Sequence, residues 1–206
     1  MMGAAKVKGA KVKRYRNRAL FTVVFVLGLI AFASYYAFGH RKDVVVPRDE
    51  IMLDDLVFNR SIFTFLGEAP FPPDQGLANG VSVKQESGES IRVFYPPYDN
   101  SVRCLQLDLS SRVINVYVWK MESVESAKDT WETLFLVEGS VLTRDLGRIK
   151  KSDYYYAKIV RFGGKDQSLL WQKGKWVILA KSPGFTLNEK EEMQILTELF
   201  DPSIRS

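Results

Sequence analysis

From Ala19 to Gly39 the chain reads ALFTVVFVLGLIAFASYYAFG, twenty-one residues without a charge. As a helix the run reaches roughly 31 Å, about the thickness of a bilayer's hydrocarbon core. A core helix of a water-soluble domain is seldom so uniformly apolar over that length. Lys6, Lys8, Lys11, Lys13, Arg14, Arg16 and Arg18 precede it with no Asp or Glu among them. The positive-inside rule therefore keeps residues 1–18 in the cytoplasm and sends everything after Gly39 across the membrane. Tyr35 and Tyr36 fall where the outer interface is expected, and His40 and Arg41 form an anchoring flank. The competing reading is a signal peptide cleaved after about Ala33, since Ala31-Phe32-Ala33 has the small-x-small form. Both readings export the same remainder.

The formal charge of +5 is unevenly spread. Nine basic residues lie at or before Lys42 and every acidic residue lies after it, which leaves residues 43–206 net negative by four. The basic tail suits an anionic inner leaflet, each Lys or Arg near the surface being worth about 1 kcal/mol. The remainder carries no basic stripe, so a nucleic-acid partner is not expected. The partners expected are membrane lipid, for the anchor and tail, and a membrane or extracytoplasmic protein.

Residues 40–80 read as a juxtamembrane connector, with a short helix over 49–58, followed by a loop dense in proline and glycine, GEAPFPPDQGLANG. From residue 81 the apolar period becomes two. Val81–Lys84 and Ile91–Tyr95 predict one hairpin, and Val102–Leu109 with Arg112–Lys120 a second. Both faces of Val113–Trp119 are apolar, which predicts a central strand. Ser123 can cap a helix whose stripe is Val124, Ala127, Trp131, Leu134 and Phe135, with Gly139 ending it. A short strand is expected over 141–146. Strands over 154–162, 168–172 and 175–180 then predict a three-stranded meander. Thr186-Leu187-Asn188-Glu189 has the form of a capping box before a last helix that ends near Phe200. Residues 81–206 are accordingly expected to form an α+β domain, an antiparallel sheet with both helices on one face.

The sequence holds one histidine and one cysteine. A Ser-His-Asp triad, a Cys-His pair or a structural zinc site of cysteines and histidines therefore cannot be built in the exported part. No phosphate-binding or dinucleotide glycine motif appears, and no cofactor or metal is expected. Cys104, in an alternating apolar run, reads as a small core residue. Carboxylates remain chemically available: Asp54, Asp55, Asp108, Glu122 and Glu125 are candidates for an acid/base pair. A serine beside Lys120, Lys158 or Lys181 is a candidate dyad. The richer signal is aromatic. Tyr154, Tyr155 and Tyr156 are consecutive in a strand, and Trp171 and Trp176 flank a hairpin tip. Such rings either fill the core beneath the helices or, with helices on one face only, make an exposed binding surface, since Tyr and Trp dominate interface anchors. The reading is a membrane-anchored, non-catalytic binding or accessory module. The alternative is a membrane-anchored hydrolase or glycan-processing enzyme using carboxylates or a Ser-Lys dyad.

Overall fold

The structure is a computed structural model that describes residues 44–206 apart from Glu86, Val141, Leu142 and Phe162. The apolar span 19–39, the basic tail and the interface residues Tyr35, Tyr36, His40 and Arg41 lie outside the described residues. Among the described residues no helix is long and apolar enough to cross a membrane.

Among the described residues nine strands form: β1 (Thr64–Gly67), β2 (Val81–Lys84), β3 (Ser90–Val93), β4 (Val102–Leu109), β5 (Arg112–Lys120), β6 (Thr143–Lys150), β7 (Tyr154–Arg161), β8 (Gln167–Lys173) and β9 (Trp176–Ser182). Two α-helices join them among the described residues, α1 (Val124–Gly139) and α2 (Glu189–Glu198). Seven strands make one antiparallel sheet in the order β1-β4-β5-β9-β8-β7-β6, and β2 and β3 stand apart as a ribbon. The expected α+β class therefore holds, with both hairpins, the meander and two helices.

The β4–β5 turn has only Ser110 and Ser111 between paired Leu109 and Arg112. Both serines take positive φ, 54° and 63°, as a tight turn matching the strand twist requires. Asp108 supports it by accepting the Ser111 N–H at 2.9 Å. β5 lies inside the sheet, and its residues 114–119 are buried without alternation, because both of its faces are covered.

That double cover corrects the expected layering, in which both helices share one face. Ile195, Leu196 and Leu199 of the α2 region pack with Ile114, Val116, Val118, Leu169 and Ile178. Ala127, Trp131, Leu134 and Phe135 of α1 pack with Tyr117, Trp119, Leu170, Val177 and Leu179. Adjacent residues of one strand point to opposite faces, so the helices lie on opposite sides of the sheet. Ser123 caps α1, accepting the Ser126 N–H at 3.0 Å. Val124, expected on the apolar stripe, is exposed. The capping box of α2 sits two residues later than expected. Asn188 accepts the Glu191 N–H at 3.0 Å and Glu191 accepts the Asn188 N–H at 2.9 Å. Leu187 decides this: its side chain is buried and its N–H donates to Gln167 Oε1, which holds it outside the helix.

Residues 44–80 are also more than a connector. Asp43–Ser206 forms one compact unit. Val44, Val46, Leu56 and Phe63 belong to the core on the α2 side. The Val45 N–H donates to Leu196 O at 2.9 Å, the Arg48 N–H to Ile204 O at 2.8 Å, and the Ser206 N–H to Val46 O at 3.0 Å. The short helix expected over 49–58 reduces to a single 3-10 turn, Leu53–Asp55. Ile62-Phe63-Thr64-Phe65-Leu66, a stretch that favours extended structure, supplies the edge strand β1.

Candidate functional site

The five rings expected at a binding surface are found inside the fold. Trp171 and Trp176 have no exposed area, and Tyr154 and Tyr156 are buried with them on the α2 side. Tyr155 points to the other face, half-buried, edge-on to Trp131 at 5.3 Å and beside Lys150 at 5.2 Å. The physical reason is the second layer: the face expected to stay open is covered, so rings on both faces become core. The free cysteine, Cys104, is likewise buried, and burial, with some help from Glu68, pushes its thiol up to about 12.

The candidate catalytic groups do not converge on a reaction centre. Asp54, Asp55, Glu122 and Glu125 are exposed, and Asp108 serves the β4–β5 turn. Lys120 Nζ donates to Ile51 O at 2.6 Å and Lys158 pairs with Glu192. Ser168 does lie opposite Lys181 in the β8–β9 register. Both, however, turn to the same third group, Glu138. Lys181 Nζ donates to its two carboxylate oxygens at 2.9 and 3.0 Å, and Ser168 Oγ donates to Oε2 at 3.1 Å. In that arrangement the lysine donates to the carboxylate and the buried serine donates to the same acid. Among the described residues no group of three or more His, Cys, Asp and Glu is placed to hold a metal.

Glu138 is the hub of a polar network that was not expected. It has no exposed area, yet it carries a carboxylate in the last turn of α1, the end where the helix dipole disfavours negative charge by about 0.3–1 kcal/mol. The surrounding donors outweigh that, since hydrogen bonds to charged groups contribute about 1.5–3 kcal/mol each. Besides Lys181 and Ser168 they include Tyr95 Oη at 2.6 Å and, at longer range, Arg161 at 3.6 Å. Arg161 also pairs with Asp74. Burial alone would raise the Asp74 carboxyl, but Arg161, then Lys181 and the Gly76 N–H, more than offset it, so the net direction is downward. Tyr95 moves the other way, its hydroxyl pushed well up by burial and then by Glu138. The network ties the 69–101 segment, α1, β7, β8 and β9 to one another beside a cleft of about 220 Å³. Its signal was present in the chain. Glu138 continues the stripe of Trp131, Leu134 and Phe135 at helical spacing, and Lys181 continues the inward alternation of Val177 and Leu179.

Exposed apolar surface gathers elsewhere, at β1. Phe65 is 60% exposed, Leu66 49% and Val57 41%. Val57, Phe58, Arg60, Phe63, Phe65, Arg103 and Leu105 line a groove of about 360 Å³ there, at the small end of ligand-pocket volumes. The register pairs Phe65 with Leu107, which places both on the groove's side of the sheet. Arg103 Nη1 donates to Leu53 O at 3.0 Å and Asp54 O at 3.3 Å. Neither Arg60 nor Arg103 pairs with a carboxylate among the described residues. The sheet's opposite edge differs: β6, TRDLGRIK, is rich in charge, and its Arg148 and Lys150 both pair with Glu132.

No family model matches the chain, and no curated protein matches its sequence. Among solved structures, a GTP-binding regulator from Thermotoga maritima aligns over 59% of this chain and 76% of its own, at 13% identity and a TM-score of 0.34. A likeness of that size carries no argument about fold or function.

Proposed function

We propose that the chain is a membrane-anchored, non-catalytic binding or accessory module. The uncharged span Ala19–Gly39 is its single transmembrane helix, residues 1–18 stay in the cytoplasm against anionic lipid, and the α+β domain works at the outer face of the membrane. The partner is a membrane or extracytoplasmic protein, and tethering raises the domain's local concentration near it. The docking face is the β1 edge rather than the tyrosine and tryptophan rings.

The observation that carries this reading is the contrast between the sheet's two edges. Exposed sheet edges are ordinarily blunted by charge, by proline, by a bulge or by being short, and β1, four residues with a bulge between Phe65 and Gly67, uses only the last two. β6 is charged, whereas β1 is TFLG, with no charge or proline, and presents Phe65 and Leu66 to solvent beside an apolar groove.

The test combines topology and crosslinking in native membranes. The chain should resist alkaline carbonate extraction, and protease added outside should digest the domain while sparing the tail. A photo-crosslinker at Phe65 or Val57 should give one discrete protein adduct, and one at Arg148 on the opposite edge should give none. A domain protected from outside protease, or equal adducts at both edges, overturns the proposal.

A further inference from the structure

The groove and the strand edge lie side by side, and together they specify the chemistry of an occupant. No strand pairs with the outer side of β1 among the described residues, so its outward N–H and C=O groups can take a short further ladder of a few bonds, β1 being four residues long with a bulge between Phe65 and Gly67. An extended peptide laid along that side would send alternate residues toward the face that carries Phe65 and the groove. That face offers two kinds of contact. Val57, Phe58, Phe65 and Leu105 are apolar, while Arg60 and Arg103 lack a carboxylate partner and no acid lines the groove.

We propose that β1 accepts an extended peptide as an eighth strand of the sheet, with an apolar side chain in the groove and a carboxylate two residues away on Arg60 and Arg103. The inference rests on the docking face proposed above and names the partner's chemistry: an acidic, apolar, extended segment. Main-chain bonds to β1 supply affinity, and the two side-chain positions supply specificity. A second copy of this chain fits less well, because a two-fold pairing of β1 would bring the unpaired arginine cluster of each copy to the same interface.

The full-length chain in detergent micelles would be presented with acetylated, amidated hexapeptides. Each carries leucine or valine at one position and Glu, Gln or Lys two residues later. The Glu set should be retained best, and its binding should slow hydrogen exchange at the Thr64–Gly67 amides. Arg60 is exposed and makes no bond that folding needs, so Arg60→Glu is a clean variant. It should weaken the Glu set about fivefold at low salt, the scale of an exposed ion pair, and strengthen the Lys set. N-methylation of alternate peptide nitrogens should lose at least about tenfold, the scale of one charge-independent main-chain hydrogen bond left unmade.

Equal binding of the Glu and Lys sets, unaltered binding after N-methylation, or no binding by any set overturns strand addition. Self-association through Thr64–Gly67 without peptide also overturns it, since the edge would then belong to a second copy. A partner crosslinked at Phe65 alongside failed peptides rejects strand addition and leaves the docking face standing. A failed export assay rejects the membrane-module reading and leaves the peptide result unaffected.

Discussion

Glu138 is the residue whose perturbation most sharply tests how this fold is held. Its carboxylate is fully enclosed, accepts from Tyr95, Ser168 and Lys181, and lies 3.6 Å from Arg161. Glu138→Gln keeps the shape and one acceptor oxygen, but turns an amide N–H₂ toward the Lys181 ammonium, donor against donor. Lys181 has a side chain only 10% exposed, so water replaces the lost anion only in small part. Breaking one partner of a buried pair costs about 3–5 kcal/mol. For a domain of this size each kcal/mol moves the melting temperature by about 2–4 °C, so a drop of about 6–20 °C is expected. Pairing Glu138→Gln with Lys181→Met removes the stranded cation, and the double variant should recover about 2 kcal/mol or more of the single variant's loss, because apolar replacement of a buried pair is often neutral or stabilising. Urea unfolding of the full-length chain in micelles, followed by tryptophan fluorescence, measures both. A Glu138→Gln variant within about 1 kcal/mol of the parent, well below the buried-pair range, would refute the reasoning. So would a double variant weaker than the sum of its singles.

Three further outcomes are expected. Asp74 has a native pKa below its ordinary 3.8, so its contribution is present above that value and is lost as pH falls through the native one. The stability gap between the parent and Asp74→Asn should therefore close as urea midpoints are followed from neutral to strongly acidic pH, and a constant gap would reject the assignment. Cys104, buried and with its thiol pushed up to about 12, should resist iodoacetamide near pH 8 and label promptly only in denaturant. Asn188→Ala should cost about 1 kcal/mol through loss of the α2 cap, whereas Thr186→Ala should cost well under half of that. Equal losses measured by urea unfolding would return the cap to Thr186.

Local structure was legible where one physical signal dominated. Alternation in Val102–Leu109 and the apolar run on both faces of Val113–Trp119 located β4 and β5, and Ser123 with the Trp131, Leu134, Phe135 stripe located α1. Where signals competed, reading failed. Thr186 and Asn188 both stand three residues before a glutamate, and only the burial of Leu187 selects between them. The 44–63 segment shows little periodicity because its partners, α2 and residues 202–206, lie some 150 positions away. The candidate site suffered most. Aromatic residues have the same appearance in a core and at an interface, and nothing local reports which face of a strand will be covered.

The chain by itself determined its apolar span and basic tail, the charge of each part, the lack of a histidine and of a second cysteine in residues 43–206, and an α+β order of strands and helices. These follow from composition and from periods of two and 3.6 residues, which act over short distances. The tertiary structure alone decided that α1 and α2 take opposite faces, that five expected surface rings are buried or half-buried, that Glu138, Lys181, Arg161, Asp74 and Tyr95 meet, and that β1 is left as an open edge. Each of these depends on which distant segments pack together, and so on the burial of apolar surface over the whole domain rather than on any residue's neighbours in sequence.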